Sequence, residues 1–330
     1  MPNDRNTHNT RGQARYREEP RSEALRGGAA APTITVFRED ETIDERGTRE
    51  HVEFLIENGI EGVIACGSSG EFFAMSPAER MQVAEIVVSQ IRGRVPAYIQ
   101  VGEYRTSITL ELAEHAESIQ ADGLMILPPY CAQPTGGQIL RHFEAIASNV
   151  SLPIMLYNNP GVAGVSLSAV EIARLVDQVG VSSVKLTGCD THVVQELREL
   201  CGEKLTIFYG DDKAVLEALL CGANGWISGL VNLVPAHCRR LTDLSASGDL
   251  DGARDLWRKM RQLANWTVRT DCNREPHWLS LIKTGLEIRG KRVGAPRQPL
   301  CPLDEEQGEE LKALLRELCG QPPTAASIHE

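Results

Sequence analysis

A chain of 330 residues with 42% apolar and 24% charged side chains has an ordinary globular composition, long enough for one large α/β domain or two smaller ones. Its 34 basic residues against 45 acidic ones leave a net charge of −11, which excludes the basic face of a nucleic-acid binder. No apolar run approaches the ~18 residues needed to span a membrane.

The first 25 residues, "MPNDRNTHNTRGQARYREEPRSEAL", hold almost no apolar side chains and read as a disordered extension. They lack the apolar stretch of a signal peptide, and Asp4, Glu18, Glu19 and Glu23 count against a transit peptide. Short apolar runs then recur: "TITVF" (33–37), "GVIAC" (62–66), "PAYIQV" (96–101), "GLMIL" (123–127), "LPIMLY" (152–157), "VSSVKL" (181–186), "LTIFY" (205–209) and "GWISGL" (225–230). Each is strand-like, and the first seven are each followed by a stretch long enough for a helix. Strand–helix alternation implies parallel pairing, and eight units predict an α/β fold, a (β/α)8 TIM barrel, over residues 26–234. A doubly wound open sheet is the alternative, but no glycine-rich dinucleotide fingerprint follows the first run.

Helix starts fit this rhythm. Ser76 with Pro77 and Glu79, and Ser168 with Glu171, spell capping boxes, while Asp190 and Asp211 occupy expected N-cap positions. From Pro235 helical periodicity continues without strands, predicting a C-terminal helical domain over 235–320 and a tail over 321–330. Nine cysteines are scattered with no CxxC and no zinc-type spacing. They read as reduced thiols, most of them small core fillers, in a cytoplasmic protein.

In a barrel of this kind the chemistry sits at the C-terminal ends of strands and in the loops after them. Lys185 lies at such an end, between Val184 and Leu186. An amine that attacks a carbonyl must be neutral, and a water-poor barrel mouth works against the ammonium. The plainer alternatives are a buried ion pair or an anion-binding lysine. Tyr157 ends the fifth run just before "NNPG" and could relay protons beside a hydroxyl such as that of Ser68, or be simply a half-buried aromatic. "GSSGE" (67–71) offers Ser68, Ser69 and free backbone N–H groups as a carboxylate nest, or is an ordinary tight turn; Glu71 reads as a brace for it. His142, His192, His237 and His277 form no cluster.

Taken in order, "GSSGEF", "PPYC", "YNNPGVAG", "VKLTGCD" and "YGDDKAVLEALLCGANGWISGLVN" resemble the dihydrodipicolinate synthase / N-acetylneuraminate lyase family from about Arg26 to Leu318. The resemblance implies a (β/α)8 barrel with C-terminal helices, assembled as a homo-oligomer, tetramer or dimer. It implies a class I lyase or aldolase in which Lys185 forms a Schiff base with pyruvate or a related 2-oxo acid, with no metal or organic cofactor. Tyr157 then matches the proton-relay tyrosine, and Ser68 and Ser69 match the pair that joins the relay and holds the carboxylate. Ile227, Thr187 and Tyr130 match positions around the substrate. Three departures stand out: Val162 where synthases carry the arginine for the second substrate's carboxylate, Cys131 for the second tyrosine of "PYY", and Leu186 after the lysine. They point to a different acceptor. Dehydration or deamination of a 2-oxo acid (sugar-acid or hydroxyproline type) through the same imine is an alternative, and a non-catalytic metabolite-binding barrel is another.

Overall fold

The computed structural model describes residues 24–266 and 277–320. Its strands are β1 (Gly28–Pro32), β2 (Gly62–Ala65), β3 (Ala97–Gln100), β4 (Gly123–Ile126), β5 (Ile154–Asn158), β6 (Ser183–Leu186), β7 (Thr206–Tyr209) and β8 (Gly225–Ile227). They pair in parallel in chain order, and β8 returns to β1, closing the barrel. After the first four strands come α1 (Glu45–Glu57), α2 (Pro77–Ile91), α3 (Thr106–Ser118) and α4 (Gly136–Ala147). The short α5 (Pro160–Ala163) and α6 (Ala169–Val179) follow β5, then α7 (His192–Cys201) and α8 (Val215–Leu220). Beyond β8 lie the short α9 (Leu230–Leu233), α10 (Pro235–Ala246), α11 (Leu250–Trp266), α12 (Trp278–Ile288) and α13 (Glu305–Cys319).

The strands are buried on both faces, which is why they read as continuous apolar runs rather than alternating ones. Alternation survives in what each side chain meets. Val184 and Leu186 of β6 join the outer core under the helices, whereas Ile64, Tyr98, Met125, Met155, Phe208 and Ile227 fill the barrel interior. The Tyr98 ring fits inside only because position 123 is glycine: a Cβ there would lie 2.4 Å from the ring.

The expected first strand, Thr33–Phe37, is displaced. The barrel strand is the alanine run just before it, and the chain leaves the sheet after Thr33, whose N–H still bonds the Ile64 carbonyl at 3.0 Å. Further on, Val36 meets Thr48 and Asp44, and Phe37 bridges to Ile43. The physical reason lies outside the barrel. Helix α10 packs directly on β1, and the small outward side chains of Ala29 and Ala31 leave it room. β-branched residues suit strands in general, but steric room selects alanine here. Helix α10 thus closes the ring of outer helices from beyond residue 234. At the other end, "GWISGL" is strand only to Ile227, and Leu230 opens α9.

Both serine capping boxes are present. Asp211 stands at the N-cap position of the single turn Asp212–Ala214, as expected, but neither aspartate's side chain makes a capping bond. Helix α7 begins at His192 after Thr191, and the Asp211 carboxylate instead accepts the Gly188 N–H at 2.7 Å, because the β6 and β7 loops lie side by side at the barrel mouth. Only three of the eight described cysteines are buried (Cys66, Cys201 and Cys238), so core filling accounts for a minority. The predicted extension and tail lie outside the described residues, save that Leu25 is buried in the inner cluster. Among the described residues no helix is long and apolar enough to cross a membrane.

His51 of α1 joins three elements: its Nε2 meets Asn232 Oδ1 at 3.0 Å, and the Asn232 amide donates to the Pro32 carbonyl at 2.9 Å. Burial pushes His51 down to about 4, and His142 likewise. Unfolded, each would titrate near ~6.5, so acid protonates the unfolded chain first and draws the equilibrium toward it. Stability from these two groups is present above ~6.5 and lost as pH falls toward about 4. Each contributes at most about 3 kcal/mol by the linkage relation. A melting series from pH 7 to 5 is expected to show Tm falling below ~6.5, with a shallower fall in His51→Gln. A Tm flat across that range would remove this account.

Candidate active site

Strands β5 and β6 place the two central side chains. Parallel register makes Tyr157 the partner of Lys185, and Lys185 the partner of Phe208 on β7. Partners in a sheet share a face, so lysine and tyrosine enter the barrel together. Lys185 is 6% exposed and Tyr157 4%, with the lysine Nζ 4.2 Å from the centroid of the tyrosine ring. Asn159, two residues on, donates from Nδ2 to the phenol oxygen at 2.7 Å. Burial pushes the phenol's pKa up, but the Lys185 charge and hydrogen bonding from Asn159, Ser68 and Lys185 outweigh it and hold it below the usual tyrosine range. A phenol so placed exchanges its proton more readily near neutral pH.

The loop after β2 faces this pair. Cys66 turns the chain with a φ of 57°, and Gly70 and Glu71 N–H groups bond back to Gly67 and Ser68 carbonyls at 3.0 and 3.1 Å. The N–H groups of Ser68 and Ser69 take no partner among the described residues. The Ser68 hydroxyl influences the Tyr157 phenol, yet its Oγ has no partner at regular hydrogen-bond geometry. Two unused N–H groups and an unsatisfied hydroxyl beside an amine suit a carboxylate. Glu71 is wholly buried and points away, to Lys283 of α12 at 2.6 Å.

Thr187 follows β6, and its buried Oγ1 has no hydrogen-bond partner. Gly210, after β7, makes room for it: a Cβ there would sit 2.1 Å from Thr187 Oγ1 and 3.0 Å from the Lys185 Cε. Ile227, at the end of β8, is fully buried in the inner cluster. Tyr130 packs on the same cluster, edge-on to Phe72 at 6.2 Å, but its hydroxyl donates to Glu103. Burial and that carboxylate raise the Tyr130 pKa, keeping it protonated. Glu103 is anchored by the buried Arg80 at 3.4 Å, which donates to the Gln100 carbonyl at 2.8 Å. Cys131 is exposed with a φ of 69°, and Val162 is 42% exposed on α5.

The structure therefore gathers Lys185, Tyr157 and Ser68 closely, and seats Ser69, Thr187, Ile227 and Tyr130 around the same end of the barrel. Sequence reading missed Asn159, Gly210, Glu103 and Lys283. Asn159 and Gly210 lie inside the quoted motifs "YNNPGVAG" and "YGDDKAVLEALLCGANGWISGLVN", where the sequence reading gives them no role; Glu103 and Lys283 come from remote segments with no local signal. Among the described residues no three His, Cys, Asp or Glu side chains group to hold a metal ion.

A closed parallel (β/α)8 barrel with a buried lysine and tyrosine abreast at its mouth defines a class of barrel enzyme. The chain belongs to the dihydrodipicolinate synthetase family, which it matches over residues 26–318. It is 34% identical over 289 residues to the 4-hydroxy-tetrahydrodipicolinate synthase of Pelobacter propionicus, covering 88% of this chain and 97% of that one. YagE, a prophage protein of the family from Escherichia coli K12 whose structure was solved with pyruvate, superposes with a TM-score of 0.84 at 28% identity, covering 89% and 99% of the two chains. Dihydrodipicolinate synthase from Thermotoga maritima gives 0.82 at 26% identity, with the same coverage. The protein is an aldolase-type lyase, so the reading as a non-catalytic barrel falls away.

Proposed function

We propose that Lys185 condenses with the carbonyl of pyruvate or a related 2-oxo acid, and that the resulting imine is the common intermediate of the reaction. The observation that carries this is the Lys185 amine held 4.2 Å from the Tyr157 ring inside the barrel. The neutral amine adds to the carbonyl, and the carbinolamine loses water as its oxygen is protonated. The protonated imine then draws the electrons of a neighbouring C–H bond, whose proton leaves to give an enamine. Tyr157 is placed to move these protons, with Ser68 beside it. The carboxylate of the 2-oxo acid rests on the Ser68 and Ser69 N–H groups, with Thr187 and the Ile227 backbone near the substrate. Because the imine itself is the electron sink, the scheme requires no metal or organic cofactor.

The enamine's partner is not aspartate semialdehyde. Val162 offers no charge where the resembled synthases use arginine, and Ala163 and Val165, which follow it in the chain, are apolar and join the inner cluster. Dehydration or deamination of a longer 2-oxo acid would use the same imine. A homo-oligomeric, cytoplasmic enzyme fits the family resemblance.

Incubation with pyruvate and borohydride is expected to fix one reduced pyruvyl group, located by peptide mapping at Lys185. A panel of longer 2-oxo acids, ranked by half-saturation, identifies the natural substrate. Protein left unmodified by pyruvate and by the whole panel would refute the imine.

A further inference from the structure

We infer that Lys283 and Arg297, from the C-terminal helical region, are positioning residues for the carboxylate-holding half of the site and act on it through Glu71. This rests on the reading of Ser68 and Ser69 as the carboxylate seat.

Glu71 is unusual in two ways. It is a non-glycine residue at a φ of 62°, a left-handed conformation that ordinary side chains seldom adopt. It also buries a carboxylate completely, which is tolerated only with partners. Both oxygens have them: Oε1 meets the Lys283 ammonium at 2.6 Å, and Oε2 accepts the Arg297 backbone N–H at 2.8 Å. Lys283 is itself 1% exposed, bonded to the Ala295 carbonyl at 3.1 Å and lying 4.7 Å over the Phe37 ring. Arg297 stacks on the same ring at 4.2 Å and donates to the carbonyls of Ala74 and Glu41, each at 2.6 Å, and pairs with Glu79.

These contacts grip the chain immediately after the seat. Ser69 is two residues from Glu71, and the Ser68 carbonyl accepts the Glu71 N–H at 3.1 Å. A third anchor, the Thr35 hydroxyl, donates to the Gly70 carbonyl at 2.8 Å. If Glu71 shifts, the Ser68 and Ser69 N–H vectors turn with it. Misplacement by ~1 Å can reduce a rate by about 10²-fold. An apolar pair of similar size would hold the two segments together just as well. The charged pair adds directional constraint on Glu71.

The test uses the full-length chain and pyruvate. Lys283→Met/Glu71→Gln replaces the ion pair with neutral groups of similar shape, so the fold is retained; Arg297→Ala keeps the backbone N–H that Glu71 accepts but removes the side-chain bonds to Ala74, Glu41 and Glu79 that hold that N–H in place. Half-saturation for borohydride trapping by pyruvate is expected to rise about tenfold or more in both. The maximal trapping rate should change less than the half-saturation, and Tm should stay near wild type in the double variant. The conservative Lys283→Arg, made with Glu71 intact so that the pair keeps its charge, is expected to retain part of the affinity that the double variant loses. If both variants are folded and trap pyruvate with wild-type half-saturation, Lys283 and Arg297 are structural only and the inference is overturned. Wild-type protein that traps no 2-oxo acid would instead overturn the imine reading beneath it.

Discussion

Replacing Tyr157 with phenylalanine is expected to slow turnover by about 10²–10⁴-fold, the usual contribution of a positioned acid–base group, while barely altering the fold. The ring stays in the inner cluster, so its packing is retained. What disappears is the hydroxyl, and with it the acceptor for Asn159 Nδ2 at 2.7 Å. A lost buried hydrogen bond costs about 1–3 kcal/mol, a few degrees of Tm in a chain of this size. Borohydride trapping at Lys185 should persist but develop slowly, because carbinolamine dehydration also needs the proton. Steady-state kinetics with the substrate found in the 2-oxo acid panel decides the matter. Wild-type turnover in Tyr157→Phe would mean that Ser68 or water moves the protons and the tyrosine is a packed aromatic.

The second large effect concerns selectivity. With pyruvate and aspartate semialdehyde, kcat/KM is expected to fall well below the ~10⁴ M⁻¹s⁻¹ lower end of common enzymes. A guanidinium pairs with a carboxylate through two parallel hydrogen bonds, and valine supplies none. A desolvated charge left without its partner costs about 3–5 kcal/mol, equivalent to a factor of roughly 10²–10³ or more. Val162 lies on α5 beside Pro160 and Gly161 and is 42% exposed, so a longer side chain fits there without displacing the core. Val162→Arg should therefore raise activity with aspartate semialdehyde by about tenfold or more. Efficient wild-type synthesis would show that another cation, such as Lys213, replaces the arginine.

The barrel was legible because parallel strands buried on both faces must be short and apolar, and seven of the eight announced themselves so. The exception, Gly28–Pro32, is instructive: its alanines answer to helix α10, which arrives some 200 residues later, and no local pattern encodes that contact. The same division holds in the site. Lys185 and Tyr157 stand at strand ends where polar side chains are conspicuous, and Ser68 and Ser69 lie in a glycine-flanked turn. Asp211 takes the cap position expected of an aspartate after a strand, but its carboxylate turns to the adjacent loop's N–H at Gly188, a contact no local pattern encodes. Glu103 and Lys283 were invisible for a simpler reason: a glutamate before an exposed tyrosine and a lysine on a helix look like surface until the fold buries them against Arg80 and Glu71.

Because Tyr157 and Lys185 are register partners on adjacent strands, the separation of their backbones is dictated by the inter-strand spacing of about 4.8 Å and not by any loop. Beyond Asn159, the loops above can be exchanged, lengthened or recoloured without moving the two strands that carry the amine and the phenol. For protein engineering this makes the chain a chassis: the 131–135 and 160–166 segments are natural places to build libraries for new electrophiles, while β5, β6 and Asn159, which holds the phenol, are left untouched.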